Sequence, residues 1–485
     1  MTSKLASFPC SLPSSSVVPT TEEATALAID FATRLTSLTA ADVASNVVWR
    51  DLFALTGSLR TFYVNNVVLT WQKLVKQAGV KTVQLVPGSV RVVSQGPDVN
   101  WFDAVYAFET TSAPSSQGTI LLSIVDGRIW LIRSILDKLK DHPDIDKYDP
   151  ESAAPDSTAN GASNDNHVFG CAVIGAGQAG LSVAGRLKSQ NVDYVVLDRN
   201  ERVGDAWRNR YDTVKLHTTR DSSYLPFNRT FDTSYPVYLS KDDLATGYEN
   251  WVKDFKIKVW SGTVLENGTW LPHEDAWELR VIRDGKPASI KARHIVMATG
   301  AGCQVPVIPA LDNANRFKGD ALHSAAYTSA TPWKGLRGVV VGTANTGHDV
   351  AEDMVAAGLS SVTMVQRSPT YVLPTEYYKK FQDGIYNQQM DTKIADRIAY
   401  SNPLALARLS NMRILHKMAD EEPDRFDALE RANFKLIRHG DIVYQLFERF
   451  GGHYMDVGAS KKIVDGLVSL KYLVLYQGSA DDRPD

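Results

Sequence analysis

The sequence of 485 residues contains little cysteine and no long hydrophobic run. Its three cysteines, Cys10, Cys171 and Cys303, are scattered and form no CxxC pair, which excludes a disulfide framework and a cysteine-based metal site. Apolar runs of about 18 residues, the length that crosses a bilayer, do not occur. The Ser- and Pro-rich stretch before Glu22 lacks the apolar core of a secretory signal peptide. We therefore expect a cytoplasmic protein without a membrane span.

The chain also lacks an excess of charge of either sign. Its formal net charge is −3, with 44% hydrophobic and 22% charged residues, and this composition is ordinary for a globular protein. Nothing in it favours nucleic acid or an anionic membrane as a partner. A chain of this length exceeds one hydrophobic core, so two to four domains are expected.

Residues 22–138 are predicted to form a small α+β domain. Glu22–Leu38 has apolar residues at helical spacing (Ala26, Ile29, Ala32, Leu35), and short helices are predicted at Trp49–Phe53 and Trp71–Gln77. Strand-like runs then follow up to Ile135, with an Asp126-Gly127 hairpin turn between the last two. Helices first and a curved antiparallel sheet afterwards resemble the NTF2-like cone fold. A dimerisation or scaffolding role, giving a homodimer through this domain, is favoured over a small-molecule pocket.

Two segments are predicted to be poorly ordered. Residues 1–21 form a disordered N-terminus. Residues 139–167 form a linker, because the stretch Pro150–Asn166 consists almost entirely of Asp, Ser, Ala, Pro, Asn and Gly and has little to bury.

A strand–turn–helix–strand pattern begins at residue 171. The apolar run Cys171–Ile174 leads into Gly175-Ala176-Gly177-Gln178-Ala179-Gly180, which is a GxGxxG sequence. A helix with Leu181, Ala184 and Leu187 on one face follows, and the next apolar run, Tyr194–Leu197, ends at Asp198. This is the full βαβ context that a dinucleotide-binding fingerprint requires.

Each residue type in this fingerprint has a physical reason. Gly175 permits the tight turn, Gly177 lets the backbone approach a pyrophosphate, and Gly180 allows close packing of helix on strand. The N–H groups at the start of the helix, at Gln178 and Ala179, face the phosphate charge. Asp198 would accept hydrogen bonds from the adenosine ribose.

The residues after Asp198 carry a family resemblance. Arg199-Asn-Glu-Arg-Val-Gly-Asp-Ala-Trp207 and Tyr211-Asp-Thr-Val-Lys-Leu-His217 resemble the flavin-containing monooxygenases, including the plant YUCCA-type enzymes. In that family the first fingerprint binds FAD, so the resemblance implies an FAD site that includes Arg199, Trp207 and His217. Ala298-Thr299-Gly300 resembles the family's ATG motif, where the chain passes between two nucleotide domains, and adds Thr299 and Gly300 to the cofactor-binding residues.

A second motif lies between residues 317 and 327. Phe317, Gly319, His323 and Tyr327 match FxGxxxHxxxY at every fixed position, which resembles the identifying motif of the class B flavin monooxygenases. Baeyer–Villiger members usually carry Trp at the last position, whereas Tyr or Phe is typical of the N- and S-oxygenating and YUCCA-type branches. His323 is a candidate catalytic residue because histidine titrates near neutral pH. The family pattern favours a structural or gating role for it beside the NADP site.

A second fingerprint follows at residues 342–347. Gly342-Thr343-Ala344-Asn345-Thr346-Gly347 comes after a short apolar strand, and the next strand ends at Arg367 instead of an acidic residue. An arginine there can pair with a 2′-phosphate, which favours NADPH over NADH. The Asn345-Thr346 pair matches the family's Asn-Ser/Thr pair, and Asn345 is the other candidate catalytic residue. Ala344 departs from the glycine pattern, and its methyl group would crowd the pyrophosphate.

Together these patterns predict an α/β fold with two nested Rossmann-like dinucleotide-binding domains, preceded by the small α+β NTF2-like cone domain. The FAD-binding domain would span 168–333 with a return segment at about 451–485. The NADPH-binding domain would span 334–450 and contain a helical insertion. The family's closing ATG motif is not found in the return segment, which therefore looks truncated.

The resemblance implies an FAD- and NADPH-dependent monooxygenase. NADPH reduces FAD, the reduced flavin and O2 give a C4a-hydroperoxyflavin, and this species oxygenates a small lipophilic substrate that carries nitrogen, sulfur or a carbonyl group. The protein excludes water and holds the cofactors. Two alternatives stay open: a truncated, non-catalytic or uncoupled paralogue that acts by binding, and a Baeyer–Villiger monooxygenase.

Overall fold

The computed structural model describes residues 3–148, 167–300, 306–308 and 313–472. Most of the predicted linker, Cys303 and the end of the predicted return segment lie outside the described residues. The strands are β1 (Val43–Leu52), β2 (Leu59–Tyr63), β3 (Val83–Leu85), β4 (Arg91–Ser94), β5 (Asn100–Glu109), β6 (Ser116–Val125), β7 (Arg128–Leu139), β8 (Val168–Ile174), β9 (Tyr194–Leu197), β10 (Val259–Trp260), β11 (Thr263–Leu271), β12 (Ala276–Arg283), β13 (Lys286–Met297), β14 (Arg337–Val341), β15 (Ser361–Gln366), β16 (Thr370–Pro374), β17 (Leu436–Ile437), β18 (His453–Asp456) and β19 (Val468–Tyr472).

The α-helices are α1 (Thr21–Arg34), α2 (Val67–Ala78), α3 (Gln178–Ser189), α4 (Asp205–Arg208), α5 (Lys241–Asp254), α6 (Asn345–Ala356), α7 (Thr375–Asp383), α8 (Thr392–Tyr400), α9 (Leu404–Glu421), α10 (Pro423–Arg431), α11 (Ile442–Phe447) and α12 (Ala459–Val464). Among the described residues, none of these helices has both the length and the apolar composition needed to cross a membrane.

The chain forms two compact units. The first consists of Met1–Pro143, Gln388–Pro423 and Arg438–Gly451, and the second of Asp144–Asn387, Asp424–Ile437 and Gly452–Asp485. The helical insertion predicted inside the NADPH-binding domain is therefore divided, because α8, α9 and α11 group with the N-terminal residues. This differs from the predicted boundary at residue 450.

A mixed sheet with strand order β2-β1-β7-β6-β5-β3 is the centre of the first unit, with β4 paired to β5. Strands β5, β6 and β7 form an antiparallel meander, whereas β1 runs parallel to β7. Helices α1 and α2 cover one face, where Phe31, Trp49 and Trp71 are almost completely buried. The meander follows both helices, as the sequence pattern predicted, but β1 and β2 come between α1 and α2. The NTF2-like assignment stays a prediction.

Two local predictions in this unit are wrong. Trp49–Phe53 is not a helix, because Trp49 lies in β1 opposite Ile132 of β7 and packs on the ring of Trp71. The buried face of α1 also differs from the predicted one: Ala24, Ala28 and Phe31 point into the core, and Ile29 is exposed. The helix begins at a Thr20–Glu23 capping box, which fixes its start but not the face it buries.

The other face of this sheet is covered by α9 and by the N-terminal segment. Leu406 of α9 is buried against Val48, Trp101 and Leu131 of the sheet. The segment predicted to be disordered lies on the same unit, since the Trp130 Nε1–H group donates to the carbonyl of Ser11 at 3.1 Å. Residues 3–21 therefore pack on the first unit, which corrects the prediction that the N-terminal segment is disordered.

The second unit contains three sheets. The first has the order β10-β9-β8-β13-β12-β11, in which β10, β9, β8 and β13 run parallel. The second is the parallel sheet β14-β15-β19, and the third is the parallel sheet β17-β16-β18. Alternation of parallel strands with helices α3 and α6 agrees with the predicted α/β class.

The predicted return segment joins a different sheet from the one expected. Its last described strand, β19, pairs in parallel with β15, so it extends the sheet that carries the second fingerprint. The neighbouring strand β18 pairs with β16. Strand β19 therefore extends the sheet of the second fingerprint, and β18 joins a separate sheet. Neither strand pairs with the sheet of the first fingerprint, where the prediction placed the return segment.

Candidate functional site

The first glycine turn joins β8 to α3. Gly175 has φ of +109°, which only glycine adopts easily, and a Cβ atom there would lie 2.4 Å from the carbonyl oxygen of Ala298. A Cβ atom on Gly180 would lie 1.8 Å from the carbonyl oxygen of Gly175. At Gly177 a Cβ atom would meet nothing within 4 Å. Two glycines thus close the turn, and the middle one faces open space.

Asp198 holds the end of β9 against this turn. Its Oδ2 accepts a hydrogen bond from the Ala176 N–H group at 2.6 Å, and its Oδ1 accepts from the Asn200 N–H group at 2.8 Å. Gln178 and Ala179 are exposed at the first positions of α3, where helix N–H groups have no partner within the helix. The carboxylate and the exposed N–H groups thus lie on two sides of one open turn.

Other residues predicted for the first site take varied positions. The ATG segment follows β13, and Ala298 packs directly on Gly175, so Thr299 and Gly300 are exposed beside the turn. Arg199 is exposed after Asp198. Trp207 is half-buried in α4, with the Arg210 guanidinium 5.1 Å from its ring.

The second glycine turn repeats the geometry of the first. Gly342 has φ of +120°, and a Cβ atom on Gly347 would lie 2.4 Å from the carbonyl oxygen of Gly342. Ala344 has φ −87° and ψ −174°, close to the φ −82° and ψ −172° of Gly177. Alanine adopts these angles without strain. The departure from the glycine pattern therefore leaves the backbone of the turn unchanged.

Arg367 is the counterpart of Asp198. It follows β15 directly, its side chain is exposed, and no residue within the described part of the chain forms an ion pair with it. A cation at the carboxyl end of this strand is therefore available to an anion at the mouth of the second turn.

His217 lies beside the second turn, although the resemblance assigned it to the FAD site. Its Nε2 atom is 3.8 Å from Oδ2 of Asp349 on α6. The Tyr211 hydroxyl donates to the same carboxylate oxygen at 2.6 Å. Burial, with a smaller contribution from Arg210, lowers the pKa of His217 to about 4, and burial raises the pKa of Asp349 to about 6.

The FxGxxxHxxxY segment is anchored to the same helix by its last residue. The Tyr327 hydroxyl donates to Oδ2 of Asp353 on α6, and the Ala330 N–H group donates to the same oxygen at 2.9 Å. His323 caps a short 3₁₀ turn, where its Nδ1 atom accepts from the Ala325 N–H group at 3.0 Å. Phe317 is exposed. His323 therefore makes a structural contact within its own segment. This contact favours the structural role over that of a general base, and the role of His323 stays a prediction.

The side-chain oxygen of Asn345, the other candidate catalytic residue, accepts a hydrogen bond from the backbone. Its Oδ1 atom accepts from the Met455 N–H group of β18 at 2.7 Å. Asn345 therefore links the second turn to β18, and its Nδ2 group has no such bond to β18.

The sequence analysis missed the polar residues on the buried face of α6. His348, Asp349 and Asp353 are buried there, and Tyr454 of β18 stacks on His348 with ring centroids 3.6 Å apart and an angle of 3°. The available signal was the composition of the helix. The corresponding positions of α3 hold Leu181 and Ala184, whereas those of α6 hold His348 and Ala351, and Asp349 and Asp353 of α6 are also buried.

His217 and His453 interact electrostatically, and His348 precedes Asp349, whose carboxylate lies 3.8 Å from His217. We call these three residues the histidine cluster. Burial lowers the pKa of each of them to about 4. No described residue hydrogen-bonds to Nε2 of His348 or Nδ1 of His453. The cluster is therefore neutral at neutral pH.

Comparison with known proteins gives one family match. Residues 172–399 match the family model described as pyridine nucleotide-disulphide oxidoreductase. The matched range covers both glycine turns, the FxGxxxHxxxY segment and Arg367. It does not include the N-terminal residues for which the NTF2-like fold is predicted.

Curated relatives are plant monooxygenases. The probable indole-3-pyruvate monooxygenase YUCCA9 of Arabidopsis thaliana is 28% identical over 319 residues, which cover 62% of this chain and 74% of that protein. The indole-3-pyruvate monooxygenase YUCCA1 of Oryza sativa subsp. japonica is 32% identical over 219 residues, which cover 45% of this chain and 52% of that protein. Apart from the first, the chain spans about half the length of the curated relatives it matches.

Among solved structures, cyclohexanone monooxygenase from Rhodococcus sp. Phi1 bound to NADP+ is 19% identical. The match covers 63% of this chain and 64% of that chain, with a TM-score of 0.44. Residues 172–399 are therefore similar to the pyridine nucleotide-disulphide oxidoreductase family model, within a chain that is similar in sequence to YUCCA-type monooxygenases.

Proposed function

We propose that the protein is an FAD- and NADPH-dependent monooxygenase that oxygenates a small lipophilic molecule at nitrogen, sulfur or a carbonyl-bearing carbon. The observation that carries the proposal is the pair of matching glycine turns with opposite charges after their second strands. Asp198 follows β9, and Arg367 follows β15. A carboxylate suits a ribose diol and an exposed arginine suits a 2′-phosphate, so the two turns fit two different dinucleotides.

The first turn fits the diphosphate of FAD. The space above Gly177 is open, and the N-terminal N–H groups of α3 point toward it, so a diphosphate can approach the backbone closely. Asp198 is positioned for the ribose by its hydrogen bonds to Ala176 and Asn200. Thr299 and Gly300 lie beside the same turn and would contact the dinucleotide.

The second turn fits NADPH. It has the same backbone, and the N-terminus of α6 supplies the N–H groups. Arg367 would pair with the 2′-phosphate, and this pair would distinguish NADPH from NADH. The methyl group of Ala344 occupies part of the space that is open at Gly177, so the diphosphate is expected to lie farther from the backbone at the second turn than at the first.

When bound, the flavin supplies the redox and oxygen-activating chemistry. The chain's own residues bind, orient and exclude water. Tyr327 fixes the FxGxxxHxxxY segment to α6 through Asp353, and Tyr211 fixes the segment after α4 to the same helix through Asp349. Both segments are therefore held at the second turn, where the nicotinamide dinucleotide would lie.

A flavin spectrum with NADPH titration under air tests the proposal. The expected protein is yellow, consumes NADPH and O2, and oxygenates a thioether, an amine or a 2-oxo acid from a panel that also includes cyclic ketones, with the products analysed by mass. Indole-3-pyruvate belongs in the panel because the curated relatives are named for it. Colourless protein that takes up no FAD would refute the proposal.

Other outcomes of the same assay identify the two alternatives. NADPH oxidation that yields only hydrogen peroxide, whichever substrate is added, would indicate an uncoupled paralogue. Oxygen insertion into cyclic ketones, with thioethers unchanged, would indicate a Baeyer–Villiger enzyme. Tyr327 at the motif's last position argues against that second outcome by the family pattern.

A further inference from the structure

The two glycine turns differ in what lies beneath them, not in their backbone. Four residues after Gly177 stands Leu181, which is fully buried and apolar. Four residues after Ala344 stands His348, which is equally buried. An imidazole ring thus occupies the position that an aliphatic side chain fills under the first turn.

His348 donates two hydrogen bonds to one carbonyl group. Its backbone N–H group reaches the Ala344 oxygen at 3.1 Å, and its Nδ1 atom lies 3.2 Å from the same oxygen. A carbonyl only accepts, so Nδ1 carries the proton of the neutral ring. Under the first turn, the Gly177 oxygen accepts the backbone bond from Leu181 at 2.9 Å, and leucine has no second donor.

The second bond fixes the peptide group that faces the ligand. The Ala344 carbonyl and the Asn345 N–H group belong to one planar trans peptide, in which they point in opposite directions. When the carbonyl is held toward the helix, the N–H group must point out of the helix N-terminus. That N–H group is one of those a diphosphate would use.

The imidazole ring is itself held by β18. Tyr454 stacks on it, and the Tyr454 hydroxyl accepts hydrogen bonds from the N–H groups of Val457 at 3.3 Å and Ala459 at 3.0 Å. One residue further on, the Met455 N–H group binds Asn345. Both ends of the Ala344–Asn345 peptide are thus braced from the same strand.

We propose that His348, held by Tyr454, is a positioning residue that presets the second turn for the diphosphate of NADPH. This inference rests on the proposed function. It identifies a cause of tight binding at a turn whose alanine otherwise weakens the close approach. His348 contacts no ligand and acts through the Ala344–Asn345 peptide.

The test measures the dissociation constant of NADP+ by calorimetry on FAD-loaded protein. His348→Leu copies the residue under the first turn and removes the ring donor. It should weaken NADP+ binding about 3- to 10-fold, the effect of one hydrogen bond. His348→Thr keeps a donor, because a threonine hydroxyl can bond the carbonyl four residues earlier in a helix. It should restore NADP+ binding to within about 2-fold of the wild type, although it loses the ring stack.

Three readouts separate positioning from a merely structural role. FAD content should not change in either variant, because the first turn is untouched. The KM for NADPH should rise in His348→Leu while kcat at saturation is retained, since the lost interaction acts on binding. The ratio of the dissociation constants of variant and wild type should be constant from pH 6 to pH 8, because the ring is neutral there.

The outcomes distinguish this inference from the proposed function. Wild-type protein that binds FAD but no NADP+ would contradict the proposed function. Wild-type protein that binds NADP+ while His348→Leu binds it equally well would contradict only the positioning role. Equal losses in the Leu and Thr variants, with reduced FAD content in both, would also overturn it, because packing alone would then explain the effect.

Discussion

Replacement of Gly180 or of Gly177 in the first turn by alanine should have opposite effects on stability, whereas both replacements should weaken cofactor binding. Gly180→Ala places a methyl carbon 1.8 Å from the Gly175 oxygen, so α3 must move away from β8. Overpacking of this kind costs about 1–3 kcal/mol. Gly177→Ala meets no atom within 4 Å, and its φ of −82° suits alanine. Such a change should raise the free energy of unfolding by about 0.4–1 kcal/mol by restricting the unfolded chain.

Cofactor binding should respond differently from stability. If the FAD diphosphate lies over Gly177, the added methyl group displaces it and lengthens its charge-assisted hydrogen bonds. Loss of one such bond costs about 1.5–3 kcal/mol, which corresponds to a roughly 10- to 100-fold larger dissociation constant for FAD. Gly177→Ala should therefore give a stable, folded protein that loses its yellow colour on dialysis.

The assay combines denaturant unfolding of the apoprotein with FAD titration by fluorescence quenching. Gly180→Ala is the control for general damage to the turn, since it should lower both stability and affinity. Unchanged FAD affinity in Gly177→Ala would refute the reasoning, because the open space above Gly177 would then not be where the dinucleotide lies. A large loss of stability in Gly177→Ala would contradict the assigned backbone geometry.

Three further changes have expected outcomes. Arg367→Gln should raise the KM for NADPH about 10- to 100-fold with little change in the KM for NADH, because only the 2′-phosphate loses a partner. Steady-state kinetics with both cofactors checks this, and an equal rise in the KM for NADH would contradict it. Leu406→Ala should destabilise the first unit by about 2–5 kcal/mol, whereas Leu404→Ala, exposed on the same helix, should stay within about 0.5 kcal/mol; urea unfolding compares them. Between pH 4 and 6.5 the free energy of unfolding should rise with pH. The three histidines of the histidine cluster have pKa values of about 4 in the folded protein against 6.5 when unfolded. The unfolded chain therefore binds more protons than the folded protein in this range. Asp349, whose pKa is raised to about 6 from 3.8, binds its proton more readily in the folded state and opposes this rise; Asp349→Asn should therefore make the pH dependence steeper in unfolding measured at pH 4.5, 5.5 and 6.5.

The outer face of the first unit bears on the predicted homodimer. Arg413 of α9 forms an ion pair with Asp98, and Leu406 fills the apolar face of the sheet. This face is occupied by the chain's own helix, so a dimer through the N-terminal domain would need another surface. The dimer stays a prediction that analytical ultracentrifugation would test.

The sequence was most informative where chemistry constrains consecutive residues. The glycine spacing at 175–180 and 342–347 was sufficient to predict two βαβ units. The preferences for different dinucleotides, inferred from Asp198 and Arg367 at the strand ends, stay predictions. A turn of this kind depends on residues a few positions apart, so local sequence determines it. Tyr327 was singled out as a motif residue, but its hydrogen-bond partner Asp353 on α6 was not predicted.

The sequence was least informative where function depends on strands that meet from distant positions. The local sequence at Trp49–Phe53 predicted a short helix. Only the pairing of Trp49 with Ile132 of β7 shows that this segment belongs to a strand. Asn345 has the residue type of a catalytic group, and only the nearby Met455 N–H group shows that its oxygen is already bonded.

The sequence by itself determined that this chain has two glycine turns between a strand and a helix, because glycine conformations and the charges at strand ends are local properties. Only the tertiary structure decided what supports them. Tyr211, His348 and Tyr454 are far apart in the chain, and packing brings their polar groups together around α6, where burial makes each hydrogen bond matter.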